Sequence, residues 1–265
     1  MQVDVFTSGI WQTTSTVLSQ GGACVIVDPA YFPRELDAIA ARVRGIGRAE
    51  AVAFTHGHWD HVMGHAIFPD TPVLVHPVLA DAVARGDARA ARYLDDARAF
   101  DSRWYVPRPD GHRWPTTLQG LATDARTTVA GIALHALHLP GHSPDGLGLI
   151  VEAEGLLLVG DYLSPCEIPF VEDVAAYQAT LRRLLDLLAG EVVEVIPGHG
   201  PRLSAADAAA IARADLTYLE RLADAGARGD AVAARAVELP RAADVVGMRD
   251  HHRDNCAVVG LTIAP

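Results

Sequence analysis

Four polar motifs in this chain each follow a short apolar segment, and this repetition limits the possible folds more than any other feature. The first is the loop 55–61, which comes directly after an apolar run at 51–54; the others contain His142, Asp161 and His199. Glycine and proline beside those three residues allow sharp turns that leave a side chain exposed at a strand end. We therefore expect sheets that gather these polar residues along one edge.

The remaining sequence is typical of alternating strands and helices. Apolar alternation and turn residues predict strands at 3–6, 16–18, 23–27, 50–54, 73–75, 132–139, 147–152, 156–159 and 192–196. Helical spacing of apolar residues predicts helices at 33–44, 174–188 and 205–222. The last forty residues carry no clear pattern. A strand, helix, strand order implies crossover connections within the sheets.

Length and composition indicate one globular domain. The chain has 265 residues, of which 50% are hydrophobic, which is enough to form a sizeable core. Residues 77–128 differ from their surroundings: an Ala/Arg/Asp-rich helical stretch precedes the irregular segment FDSRWYVPRPDGHRWP. We predict a single domain over 1–265 with an insertion or lid at 77–128.

Charge and cysteine content exclude several classes of function. The formal net charge is −11, and all 22 basic residues are arginine, so lysine-based catalysis is excluded and phosphate-mediated nucleic-acid binding is disfavoured. Cys24, Cys166 and Cys256 lie far apart, unlike a disulfide framework. The sequence shows neither a signal-peptide pattern nor a membrane-spanning stretch. We expect a cytoplasmic protein that acts on a small-molecule substrate without a membrane or nucleic-acid partner.

The loop Thr55-His56-Gly57-His58-Trp59-Asp60-His61 carries the strongest chemical signal. In an extended segment, side chains two residues apart point the same way, so His56 and His58 can hold one ion together. A turn at Trp59 would redirect Asp60 and His61 toward a second ion. Imidazole nitrogen and carboxylate oxygen suit zinc and related divalent cations. The loop therefore predicts two adjacent metals.

With these motifs, the chain resembles the metallo-β-lactamase superfamily, whose signature is H-x-H-x-D-H followed by a distant histidine, an aspartate and a final histidine. The resemblance covers at least residues 1–203 and implies an α+β fold, a four-layer αββα sandwich. It implies that the first metal is held by His56, His58 and His142, the second by Asp60, His61 and His199, and that Asp161 bridges them.

The resemblance also implies a mechanism. Two divalent ions, most simply zinc with iron or manganese as alternatives, would share a water or hydroxide that attacks a carbonyl centre. Asp60 would orient this nucleophile and later carry a proton, which makes it the predicted catalytic side chain. The expected reaction is hydrolysis of a small thioester, lactone or other ester.

Departures from known subfamilies narrow the substrate without naming it. Hydrolytic β-lactamases generally lack the bridging aspartate that Asp161 provides here. Glyoxalase II-like thioesterases and persulfide dioxygenases continue the loop with two glycines, where this chain has Met63-Gly64. Acyl-homoserine lactonases place a tyrosine three positions after the aspartate, where this chain has Ser164. The alternative to hydrolysis is an iron-dependent oxidoreductase, similar to persulfide dioxygenases, that uses the same pocket.

Further residues are candidates for substrate contact. Trp104, Tyr105 and Trp114 could form an aromatic wall over the metals or pack the core of the inserted segment, and Tyr162 lies next to Asp161. Near the C-terminus, His251, His252 and Asn255 either support the ligands or form a solvated turn. We expect ordinary structural roles for the remaining nearby polar residues: His65, His76, His135, His138 and Cys166.

Overall fold

The computed structural model describes residues 1–263 and contains two six-stranded sheets. In the first sheet the strands follow sequence order: β1 (Gln2–Thr7), β2 (Thr14–Gln20), β3 (Ala23–Val27), β4 (Arg48–Ala53), β5 (Val73–Val75) and β6 (Leu118–Gly120). The second has the order β12-β11-β10-β9-β8-β7, with β7 (Arg126–Val129), β8 (Ile132–His138), β9 (Leu147–Val151), β10 (Leu156–Leu158), β11 (Glu194–Ile196) and β12 (Leu203–Ser204).

Helices connect the strands and cover the sheets. They are α1 (Pro33–Ile46), α2 (Trp59–Val62), α3 (Pro77–Ala84), α4 (Ala88–Trp104), α5 (Val174–Leu188), α6 (Ala205–Arg228), α7 (Ala231–Arg235) and α8 (Met248–Val258). Within residues 1–263, none of them is long and apolar enough to cross a membrane.

Strand direction follows from the connections. The pairs β1–β2 and β2–β3 are antiparallel, whereas β3 through β6 pair in parallel. In the second sheet only the β10–β11 pair is parallel within the described residues. A parallel pair needs a crossover connection, and helices α1 and α5 provide it between β3 and β4 and between β10 and β11. The loops that follow the carboxyl ends of β4 and β10 lie side by side, with Nε2 of His56 3.5 Å from Oδ2 of Asp161.

Three apolar clusters hold the layers together. One contains buried residues of both sheets, including Leu18, Val25, Leu134 and Leu149, and so lies between the sheets. A second joins α1 to the outer face of the first sheet. The third joins α5 and α6 to the outer face of the second. The four-layer αββα sandwich is thereby confirmed.

The structure refines several sequence predictions. The strands at 23–27 and 73–75 and the helix at 174–188 have the predicted bounds. The segment 77–128 does contain two helices, but its end belongs to the scaffold: β6 pairs with β5, and β7 pairs with β8. Sequence reasoning missed this because both strands are short and only partly buried. The C-terminal region without a clear pattern folds into α7 and α8.

Candidate metal centre

The loop after β4 brings its polar residues together through close packing at Gly57. A Cβ at this position would lie 2.8 Å from the Tyr93 ring and 3.0 Å from an oxygen of Asp145. Only glycine lets the backbone pass this close to its neighbours. His58 follows in extended conformation and precedes the short helix α2, which contains Asp60 and His61. The turn predicted at Trp59 is thus the start of this helix.

The first donor group consists of His56, His58, His142 and Asp161. The Nε2 of His142 lies 2.9 Å from Nδ1 of His58 and 3.3 Å from Nε2 of His56. It is also 3.2 Å from Oδ2 of Asp161. Four donor atoms from three separate loops therefore face one point.

The second donor group consists of Asp60, His61 and His199. The Nε2 atoms of His61 and His199 are 3.3 Å apart. Oδ2 of Asp60 lies 3.4 Å from Nε2 of His61 and 3.5 Å from Nε2 of His199. All three residues are buried.

Asp161 lies between the two groups and presents one oxygen to each. Its Oδ2 faces His142 and His56, at 3.2 and 3.5 Å. Its Oδ1 faces His61 and His199, at 3.1 and 3.3 Å. In the described chain this buried Oδ1 has no hydrogen-bond partner. A carboxylate with this placement can bridge two cations.

The outer nitrogens of the histidines show that the donor set fits metal ions. Nδ1 of His142 donates to the carbonyl of Phe170 (3.0 Å), Nδ1 of His199 to that of Trp11 (3.1 Å), and Nδ1 of His61 to Oδ2 of Asp28 (3.0 Å). An acceptor on the outer nitrogen keeps the proton there and leaves the inner nitrogen's lone pair free for a cation. All three inner nitrogens point into the donor groups.

The charges within the site are strongly coupled. Burial lowers the pKa of His58 to about 3 and that of His56 well below its ordinary value. For His61, burial acts in the same direction, but the carboxylates of Asp161, Asp60 and Asp28 raise its pKa well above normal. Burial raises the pKa of Asp161, yet the nearby histidines, His199 first, hold it well below its usual range. An ionised Asp161 and neutral His56 and His58 are the forms that bind cations.

Asp28 supports the first loop and was not singled out from the sequence. Its Oδ1 accepts from the backbone N–H of Thr55 (2.8 Å), and its Oδ2 accepts from the Thr55 hydroxyl (2.5 Å) and from His61. The residue is buried and has a positive φ of 49°. The one feature of the sequence that could have indicated Asp28 is the Asp-Pro pair at the end of a buried strand. Such a pair is also common in ordinary turns.

The loop before β2 supports the final histidine. Trp11 and Gln12 have φ values of 46° and 59°, uncommon for residues other than glycine. Their carbonyls accept hydrogen bonds from His199 and from the N–H of Gly200. The hydroxyl of Thr13 lies 3.3 Å from Nδ1 of His199 and donates to Asp60 at 3.3 Å. No sequence motif marks these contacts.

The C-terminal helix α8 reaches the site indirectly. Asn255 accepts from the N–H of Val171 (3.2 Å) and donates to the carbonyl of Pro169 (2.7 Å). The backbone carbonyl of Phe170, which lies between these two residues, accepts the hydrogen bond from His142 Nδ1. His252 is buried against the Tyr218 hydroxyl. The sequence left two roles open for these C-terminal residues, support of the ligands or a solvated turn. Asn255 and His252 are buried and make supporting contacts, so they do not form a solvated turn.

The predicted substrate residues occupy different environments. Trp104 is 59% exposed and contacts Phe100, which packs on Trp59; Trp11, 57% exposed, also contacts Trp59. Tyr105, at the end of α4, is 92% exposed.

Trp114 and Tyr162 are placed differently. The Trp114 indole donates to the carbonyl of Ala90, and the side chain packs in the apolar cluster around α1. Tyr162 is buried; its hydroxyl donates to the Pro140 carbonyl and accepts from the N–H of His142. Its contacts are with the backbone that carries a donor residue.

The other histidines lie outside the donor groups within residues 1–263. His76 and His138 stack on each other with ring centres 3.9 Å apart, and Nδ1 of His65 donates to the Val62 carbonyl. His135 approaches Asp124 at 3.6 Å.

Glu167 is an acidic residue near the centre that sequence reasoning did not select. Its Oε1 lies 3.9 Å from Nε2 of His199. Burial raises its pKa to about 7, with His199 opposing that shift and Asp161 adding to it. The residue sits six positions after Asp161 in an irregular loop, where no pattern of spacing distinguishes it from a surface glutamate.

Comparison with known proteins places this arrangement in a family. A family model described as the Metallo-beta-lactamase superfamily matches residues 8–199. Atrochrysone carboxyl ACP thioesterase AgnL7 from Paecilomyces divaricatus is 28% identical over 192 residues, which cover 71% of this chain and 50% of that protein. The chain thus spans about half the length of this curated relative.

Two solved structures are similar over most of the chain. TTHA1623 in a di-iron-bound form is 27% identical with a TM-score of 0.57, over 77% of this chain and 96% of that chain. The family protein TTHA1429 from Thermus thermophilus is 19% identical with a TM-score of 0.68, over 97% of this chain and 91% of that chain. The second likeness shows the fold alone. Since the family model matches well over half of the residues and the fold agrees, the chain belongs to the metallo-beta-lactamase superfamily.

Proposed function

We propose that this protein is a metal-dependent hydrolase that binds two divalent ions and cleaves a small-molecule thioester. The observation that carries the proposal is the position of Asp161, whose two oxygens face the two donor groups. Such a pair of sites polarises a carbonyl and activates water when the ions are bound. We assign His56, His58 and His142 to the first ion, Asp60, His61 and His199 to the second, and Asp161 to both.

The choice of thioester among the possible esters rests on the curated relatives. AgnL7 and several others at 25–28% identity carry the name atrochrysone carboxyl ACP thioesterase. The part of this chain that the family model matches includes the whole donor set. A lactone or an oxygen ester presents the same carbonyl to the same groups and remains within the proposal.

Asp60 is the side chain placed to handle the proton of the attacking water. Its Oδ2 faces His61 and His199, and the Thr13 hydroxyl donates to the same oxygen. Burial raises the pKa of Asp60, but His61 and His199 lower it overall, so the carboxylate is ionised and can accept a proton.

Aromatic side chains beside the centre provide a surface for the acyl group. Trp11 presents an exposed ring while its carbonyl holds His199, so this ring lies in the same loop as the support of the second donor group. Trp104 extends the aromatic surface through Phe100. A flat or extended apolar acyl chain could bury area against these rings. We propose Trp11 and Trp104 as the substrate contacts.

Iron in the same pocket is the second candidate. TTHA1623, at 27% identity, was crystallised in a di-iron-bound form. Imidazole and carboxylate donors also suit iron. In this alternative one or two irons use all or part of the same donor set, and the reaction is an oxidation similar to that of persulfide dioxygenases.

The test combines metal analysis with a substrate panel on one preparation. We expect two divalent ions per chain and turnover of acyl-thioesters, tested beside lactones and phosphodiesters. Chelation should abolish turnover, and zinc or manganese should restore it. One iron per chain, with no hydrolysis under any metal and oxygen consumption with a persulfide, would replace the hydrolase by the oxidoreductase.

A further inference from the structure

The Glu167 carboxylate lies beside the second donor group. Its Oε1 is 3.9 Å from Nε2 of His199, and the side chain is only 12% exposed. A ligand oxygen of Glu167 lies within 4.8 Å of ligand atoms of both Asp161 and His199. The carboxylate therefore faces the same space as Oδ1 of Asp161.

Glu167 lacks the partners that a buried carboxylate normally needs. Among the hydrogen bonds of residues 1–263, no donor reaches it, and its one ion-pair contact is the distant His199. Oδ1 of Asp161, on the other side of the same space, is also without a hydrogen-bond partner. Two carboxylates that face one enclosed space repel each other. A cation between them would offset this repulsion.

The loop that carries Glu167 is held on both sides. Before it, the Ser164 carbonyl accepts from Nε of Arg241 at 2.6 Å, and Arg241 is in turn paired with the buried Asp215. After it, Asn255 holds the Pro169 carbonyl at 2.7 Å. These contacts fix the backbone around Glu167. Its position is therefore a feature of the folded loop.

We propose that Glu167 is an additional ligand of the second metal ion. This inference rests on the ligand assignment of the proposed function but not on hydrolysis itself. The second ion would then have three carboxylates and two imidazoles, provided by Asp60, Asp161, Glu167, His61 and His199. The first ion has three imidazoles and one carboxylate. Oxygen-rich sites favour manganese more than imidazole-rich sites do, so the two sites differ in metal preference.

The test is metal titration of the metal-free protein, followed by calorimetry and by the electron paramagnetic resonance signal of manganese. The wild type should bind two manganese ions per chain. In Glu167→Gln, which keeps the size but removes the charge, the second ion should bind at least about tenfold more weakly while the first is unchanged. Zinc at the second site should be less affected than manganese. The control is Glu220→Gln, a surface glutamate paired with Arg182, which should bind both ions as the wild type does.

Other outcomes separate this inference from the proposed function. Unchanged affinity for the second ion, or equal weakening of both ions, would overturn the role of Glu167. If Glu167→Gln fails to fold, Glu167→Asp keeps the charge with a shorter reach and should weaken the second ion in the same selective way. Two bound manganese ions without turnover of any thioester, lactone or other ester in the wild type would refute the hydrolase and leave the ligand assignment intact.

Discussion

The two halves of the metal centre are built in different ways. The first sheet contributes four donors from one loop of seven residues, 55–61, directly after β4. The second sheet contributes His142, Asp161 and His199 from three separate loops. One carboxylate, Asp28, supports the first loop through both Thr55 and His61. In the second half, backbone carbonyls of Phe170 and Trp11 support the histidines.

This difference shows two ways of positioning a ligand. In the first loop the spacing along the chain already sets which side chains point the same way. One buried carboxylate, that of Asp28, holds this loop through Thr55 and His61. In the second half each donor depends on contacts with residues far away in sequence, such as Trp11 for His199. We therefore expect mutations of supporting residues to weaken mainly the ion whose ligand they hold, and mutation of Asp161, which faces both donor groups, to weaken both ions together.

Asp161→Ala should have the largest effect because this carboxylate faces both donor groups. Loss of the shared carboxylate should lower kcat/KM by about 10³-fold, since metal activation contributes several kcal/mol. Metal content should fall below two ions per chain. Circular dichroism should show an unchanged fold, because Oδ1 makes no structural hydrogen bond in the described residues. Two retained ions with normal activity would refute the bridging assignment.

Asp28→Asn should act through the first loop and weaken the second ion more than the first, because Asp28 contacts His61 directly and His56 only through Thr55. The amide keeps the shape but replaces one acceptor by a donor, which faces either the Thr55 N–H or both His61 and the Thr55 hydroxyl. Loss of such a contact to the outer nitrogen of a ligand histidine typically lowers metal affinity about 10- to 100-fold. Calorimetry should find this loss of affinity at the second ion, which His61 holds. The matched control is Asp70→Asn at an exposed position. Equal weakening of both ions would contradict the separation drawn above.

Of the three variants, Asn255→Ala should change metal binding least, and the change should be at the first ion. The substitution removes the contacts that hold Pro169 and Val171 on either side of Phe170. We expect the free energy of unfolding to fall by about 1–3 kcal/mol because buried backbone groups lose partners, and affinity for the first ion to fall by up to about tenfold.

The control for this variant is Asp254→Ala, an adjacent α8 residue whose side chain is 79% exposed. It should leave both stability and metal binding near those of the wild type. A drop in stability of Asn255→Ala with full affinity for the first ion would show that the helix supports the fold without orienting His142.

Residues that act through their immediate neighbours in the chain can be predicted from the sequence. Spacing alone indicates the loop 55–61, and a place after predicted strands indicates His142, Asp161 and His199; the structure brings all of these side chains into two adjacent groups. Asp28 and Glu167 could not be recognised, because a carboxylate gains its role from the groups that surround it after folding. The insertion over 77–128 stays a prediction, but the end of this segment forms strands that the sequence did not indicate: β6 pairs with β5, more than forty residues earlier, and β7 forms a hairpin with β8.

The sequence by itself determined many of the strands and helices and the location of the donors, because apolar periodicity sets which face of a strand or helix is buried and turns place the following residue at an edge. The layer order came from the resemblance to a known family. Only the tertiary structure decided which oxygen of Asp161 faces which histidines, which carbonyls orient the rings, and that Glu167 points toward the second group. These are contacts between residues far apart in the chain. Their geometry follows from how the two sheets pack, which no local pattern encodes.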